Sequence, residues 1–118
     1  MAYLYIVRCT DGSLYTGIAA DIRHRLKVHT EGGKTAAKYT RSHPVKELVG
    51  LWRFADLATA ARFEWRIKHL SREKKQMLLL APERIGEAPY APEEGIAFEV
   101  LCGVTLEDCL AGRVSPEK

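Results

Sequence analysis

Hydrophobic and polar positions alternate, then change period, several times along this chain. Residues Tyr3 to Cys9 are rich in β-branched and aromatic side chains and stop at a turn, which predicts a strand. The turn is Thr10-Asp11-Gly12-Ser13, whose Asp-Gly pair is a strong hairpin signal. Leu14 to Gly17 returns as a second strand. The period then lengthens. Ile22, Leu26 and His29 share one face of a helix over residues 22–31, with Arg25 on its border, Asp21 as N-cap and Gly32-Gly33 as its end. Residues 34–43 read as a polar, basic loop. Glu47 to Phe54 reads as a third strand. Asp56 caps a helix over 57–70 and Ser71 caps one over 72–80. On the first of these, Leu57, Ala60, Ala61 and Ile67 fall together with Glu64. Trp52 and Trp65 are read as core or packing residues, with stacking platforms as the alternative, and His24, His43 and His69 as surface residues.

Residues 81–95 hold three of the five prolines, two glycines and four glutamates, which marks a linker or an irregular loop. A short strand over 96–101 and a short helix over 105–110 follow. The pattern gives a small sheet with helices packed on it, an α+β domain over residues 1–80 and a C-terminal extension over 81–118. Deleting residues 82–118 is expected to leave the core folded. In the alternative, Ile96 to Leu101 adds a strand, and Leu106 and Leu110 cover core surface.

Composition changes the picture in one respect. The chain has 118 residues and a net charge of +3, but the charge is divided unevenly. Residues 1–80 carry 15 Lys+Arg against 7 Asp+Glu, a balance of +8; residues 81–118 carry 3 against 8, a balance of −5. The first block attracts polyanions, so nucleic acid is the expected partner, with a merely solvated basic surface as the alternative. Three cysteines with no C-x-x-C pair suggest reduced thiols and a cytoplasmic setting. The longest apolar run, Met77 to Ala81, is far below the ~18 residues of a membrane span, and the N-terminus lacks the basic start and apolar length of a leader.

Charged groups on the apolar sides of helices are the candidate chemistry. A guanidinium or carboxylate is seldom buried unless paired or functional. Arg25 and Glu64 thus form either a structural ion pair or part of a cleft that holds a metal and a phosphate. Tyr5 and Tyr15 lie on strands joined by a tight turn, near enough to join them.

In these residues the sequence resembles the GIY-YIG endonuclease domain. Tyr3-Leu4-Tyr5 stands where the family has Gly-Ile-Tyr, and Tyr15-Thr16-Gly17 where it has Tyr-Ile-Gly. Tyr15 follows Tyr5 by ten residues, and Arg25 follows Tyr15 by ten. Arg25 and His29 resemble the family's catalytic helix, and Glu64 its metal-binding carboxylate. The runs Ala37 to Arg41 and Ser71 to Lys75 resemble the small stand-alone bacterial subgroup. The likeness covers residues 2–80, with Tyr3 and Thr16 departing from the motifs.

It implies a three-stranded antiparallel sheet flanked by helices, and metal-dependent hydrolysis of DNA phosphodiester bonds, in repair or recombination. Glu64 would hold Mg²⁺ or Mn²⁺ through hard oxygen ligands, and Arg25 would clamp the phosphate. Tyr5, Tyr15 and His29 all remain candidates to orient or deprotonate the attacking water. Lys34, Lys38, Tyr39 and Arg41 would bind the nucleic acid, the cations on phosphates and the ring on a base. The alternative is a nucleic-acid-binding module that keeps the nuclease fold without cutting.

Overall fold

A computed structural model describes residues 1–31 and 44–113; the basic-loop residues Lys34, Lys38, Tyr39 and Arg41 lie outside them. Strand β1 (Ala2–Cys9) is the spine of the sheet. It pairs antiparallel with β2 (Leu14–Ala19) on one side and β3 (Val45–Phe54) on the other. The Asp11-Gly12 turn joins β1 to β2, with Gly12 at φ 85°, a left-handed conformation that glycine adopts without strain. Helix α1 (Ile22–Glu31) follows β2, and α2 (Leu57–Lys68) and α3 (Arg72–Leu80) follow β3.

The caps read from sequence are in place. Asp56 accepts from the Thr59 N–H at 2.8 Å, Ser71 Oγ from the Lys74 N–H at 3.2 Å, and Asp21 from the His24 N–H at 3.0 Å.

Successive side chains of a strand point to opposite faces, and β1 is covered on both. Ala2, Leu4 and Ile6 pack with Trp52, Phe54, Phe63, Ile67 and Leu78, under α2 and α3. Tyr3, Tyr5 and Val7 pack with Ile22, Leu26 and Leu51, under α1. This is why the strand reads as an unbroken apolar run. On α2 the buried stripe is Ala60, Phe63 and Ile67, while Leu57 is 47% exposed, so the wheel drawn from Leu57 was turned slightly off the core.

Among the described residues the sheet has four strands, not three. Strand β4 (Glu99–Val100) pairs antiparallel with β3, Trp52 opposite Val100 and Arg53 opposite Glu99, giving the order β2-β1-β3-β4. It lies within the short strand expected over 96–101, reduced to two residues, and it is the member that the three-stranded expectation lacked. The extension does not stand apart. Ile85, in a 3₁₀ turn (Pro82–Gly86), Tyr90 and Ala91 belong to the first core. Cys109, in α4 (Leu106–Leu110), belongs to the second, with Leu106 and Leu110 packed against it. The observed arrangement is therefore the alternative one, with an added strand and a helix covering core surface. Glu99 also pairs with Arg53, a guanidinium only 3% exposed that faces the Tyr3 ring at 6.0 Å. Among the described residues no helix is long and apolar enough to cross a membrane.

Candidate active site

The site is built where β1, β2, α1 and α2 meet. Tyr5 on β1 lies directly opposite Gly17 on β2. Its ring crosses the glycine so closely that a Cβ there would lie against the hydroxyl and 2.5 Å from Cζ. Only glycine leaves that space, which gives the second motif's Gly17 a steric reason.

The Tyr5 hydroxyl meets His29 Nε2 at 2.6 Å, across 24 residues of sequence, and both groups are buried. Tyr15 completes a triangle of rings. Its centroid is 6.5 Å from that of Tyr5 and 5.5 Å from that of His29, and the two latter are 5.7 Å apart. Arg25, one helical turn before His29, places its guanidinium beside the Tyr5 hydroxyl. Glu64 on α2 is close enough for its charge to act on the same hydroxyl. Its side chain is 21% exposed and has Lys68 Nζ at 3.5 Å.

The electrostatics follow from this packing. Burial, then the neighbouring Tyr15, pushes the Tyr5 hydroxyl far above its ordinary range, against the pull of Arg25. Burial, then the Arg25 charge, pushes His29 down to about 4. At neutral pH the pair is therefore a protonated phenol and a neutral imidazole. A guanidinium can only donate, so the Tyr5 oxygen accepts from Arg25. We assign its own proton to Nε2, which leaves the imidazole proton on Nδ1.

The structure thus brings Tyr5, Tyr15, Arg25, His29 and Glu64 together from four elements. It adds Lys68, which sequence reasoning did not select. Besides its contact with Glu64, Lys68 holds its ammonium 5.4 Å from the Tyr15 ring centroid. The i,i+4 spacing from Glu64 was the available signal. Thr16, between the two motif residues, has a buried Oγ1 with no hydrogen-bond partner among the described residues. Trp52 is buried as expected, but Trp65 is 62% exposed, contrary to its reading as a packing residue.

Among the described residues no three His, Cys, Asp or Glu side chains converge as a metal-ligand set. A single half-buried carboxylate still fits Mg²⁺ or Mn²⁺, because Mg²⁺ keeps several waters and takes substrate phosphate oxygens.

Residues 1–77 match the GIY-YIG catalytic domain. The UPF0213 protein BH0048 of Halalkalibacterium halodurans is 46% identical over 77 residues, 65% of this chain and 80% of its own. A UPF0213 protein of Xanthomonas campestris is 36% identical over 96 residues, 76% of this chain and 92% of its own. The UPF0213 protein HQ_3675A of the archaeon Haloquadratum walsbyi is 43% identical over 76 residues, 64% of this chain and 83% of its own. The relatives therefore extend beyond the bacterial subgroup expected from sequence. A solution NMR structure of BH0048 superposes with a TM-score of 0.45 at 42% identity, covering 76% of this chain and 90% of that one.

Proposed function

The chain belongs to the GIY-YIG catalytic domain family, and on that premise we propose that it is a divalent-metal-dependent endonuclease that hydrolyses DNA phosphodiester bonds, with DNA repair or recombination as its setting. The observation that carries this reading is the convergence of Tyr15, Arg25, His29 and Glu64 around the hydroxyl of Tyr5.

Each side chain has a task. Glu64 would hold Mg²⁺ or Mn²⁺; such an ion, when bound, neutralises charge on the scissile phosphate. Arg25 donates to the phosphate oxygens and stabilises charge that develops there. Tyr5 and His29 act as a pair. Tyr5 accepts a proton from the attacking water while passing its own to His29 Nε2, so the phenol never has to ionise. The resting imidazole is a weak base at about 4, partly because of Arg25. A phosphate docked on Arg25 cancels that charge and raises the imidazole when a base is needed. Tyr15 packs edge-on against His29 and keeps Lys68 over its ring.

A second reading is a nucleic-acid-binding module that does not cut. It is favoured by the Lys68 ammonium already lying 3.5 Å from Glu64, and by the lack of a three-ligand set among the described residues. One experiment separates the two. The protein is incubated with flaps, forks, Holliday junctions and single strands, in Mn²⁺ or in EDTA. The endonuclease reading expects cleavage in Mn²⁺ alone, and a Glu64→Ala variant that binds without cutting. Binding across the panel with no product in Mn²⁺ would establish the module instead.

A further inference from the structure

Strand β2 is an edge of the sheet: among the described residues its one strand neighbour is β1. The ladder with β1 fixes where Tyr15 stands relative to Tyr5, because Tyr15 lies opposite Val7 and Gly17 opposite Tyr5. It does not fix β2 relative to α2, which carries Glu64. Groups on separate elements keep a working geometry only if those elements are tied together.

Two side chains of the α2–α3 corner make such a tie. Lys68, the last residue of α2, holds its ammonium 5.4 Å from the Tyr15 ring centroid. Arg72, the first residue of α3, donates from Nη2 to the Gly12 carbonyl at 2.6 Å, across 60 residues of sequence. The corner and the hairpin thus meet twice, Tyr15 with Lys68 and Gly12 with Arg72. Both partners are stiff. On the corner, Leu70 packs against the first core and Ser71 caps α3. In the turn, the Gly12 N–H donates to the Cys9 carbonyl at 2.9 Å, and the Cys9 N–H to the Ser13 carbonyl at 2.8 Å. The Thr10 N–H donates to the Pro44 carbonyl at 2.8 Å, so the turn is also held from the start of β3. A hydrogen bond from a charged donor is stronger than a neutral one, and this one joins two rigid bodies rather than one loose loop to another.

We propose that Arg72 is a positioning residue of the site: through the Gly12 carbonyl it clamps the β1–β2 hairpin to the α2–α3 corner, and so holds Tyr15 in place against Glu64 and Lys68. This rests on the nuclease-site reading and adds to it a residue that acts through the hairpin and not on the substrate.

The wild type, Arg72→Ala and Arg72→Lys are compared in three measurements. The first is cleavage in Mn²⁺, with kcat and KM separated. Arg72→Ala should lower kcat by about 10- to 100-fold, the cost of misplacing groups by up to about 1 Å, with little change in KM. Arg72→Lys keeps a donor long enough to reach the carbonyl and should recover part of that loss. The second is the salt dependence of oligonucleotide binding in EDTA. Arg72→Ala should keep the wild-type slope, whereas loss of a phosphate contact would lower it by about 0.7–0.9. The third needs no nucleic acid. The His29 ring lies edge-on to Tyr15 with centroids 5.5 Å apart, so its NMR ring resonances report movement of Tyr15. They should shift in Arg72→Ala and return toward the wild type in Arg72→Lys. The Trp52 indole N–H, buried and donating to the Pro82 carbonyl at 2.9 Å, should stay in place in both and show that the core is intact.

A wild-type kcat in Arg72→Ala, or unshifted His29 resonances, would overturn the proposal. So would a reduced salt slope, which would make Arg72 a phosphate contact. Failure of the nuclease reading registers separately, as a wild type that does not cut in Mn²⁺; the His29 resonances then decide by themselves whether Arg72 clamps the hairpin.

Discussion

The contact between Tyr5 and Gly17 ties the two sequence motifs to each other. Gly17→Ala puts a methyl group where the Tyr5 ring lies. The ring must move or the strands must part, and overpacking of this kind costs about 1–3 kcal/mol. Urea melts should give that loss, and the ring's departure from His29 should raise the imidazole pKa in an NMR titration.

His29 also sets a pH dependence. Its folded-state value of about 4 lies below the ordinary 6.5. Between those two values the unfolded chain takes up a proton that the folded one refuses. Stability from this group is therefore full above pH 6.5, declines as pH falls toward 4, and changes no further below that. In His29→Gln this part of the profile should flatten, which melts at pH 7 and pH 4.5 would register as a smaller difference in Tm than in the wild type. Thr16 gives the opposite kind of prediction. Its buried Oγ1 has no partner among the described residues, so Thr16→Val should raise stability by about 1 kcal/mol by removing an uncompensated hydroxyl. An unchanged or lower Tm would show that the hydroxyl is satisfied in solution.

At the scale of elements, legibility followed the physical source of each signal. β1, the Asp-Gly turn, α1 and the capped helices were readable because period and caps are local properties. Tyr5, Tyr15, Arg25 and His29 were readable as candidates because three adjoining elements place them at fixed spacings. Their shared hydrogen bonding was not, since the Tyr5–His29 contact depends on how α1 lies across the sheet. Lys68 and Trp65 escaped for different reasons. Lys68 looked like one more surface cation, and the exposure of Trp65 is set by a core stripe running through Phe63 rather than Ala61.

The role of Lys68 can be measured. Its ammonium lies between the Glu64 carboxylate and the Tyr15 ring. Lys68→Ala removes a partly exposed i,i+4 pair, which is worth about 0.3–0.5 kcal/mol in stability. The expected effect is on metal dependence: with the competing ammonium gone, half-maximal cleavage should occur at lower Mn²⁺. A shift to higher Mn²⁺ would make Lys68 a substrate contact rather than a competitor.

At the scale of the whole molecule, the acidic extension is joined to the basic domain by burial as well as by charge. Truncation at residue 82 would remove Ile85, Tyr90 and Ala91 from one core and Cys109 from the other, and would strip β4 from the edge of β3. It would also remove Glu99 and leave the Arg53 guanidinium without that counter-charge. The truncated chain should therefore lose its cooperative melt, and any loss of DNA binding in it would report unfolding instead of a role for the extension in recognition. A single substitution isolates the electrostatic part. Glu99→Ala keeps both cores and deletes the carboxylate that Arg53 meets. Because Glu99 is partly open to water, the expected loss is about 1–3 kcal/mol, that of a charged hydrogen bond, rather than the larger cost of breaking a wholly buried pair. Replacing Arg53 as well, with methionine, removes the buried guanidinium and should recover part of the loss. A Glu99→Ala protein that melts like the wild type would mean that solvent reaches Arg53 and that the extension is held by its apolar contacts alone.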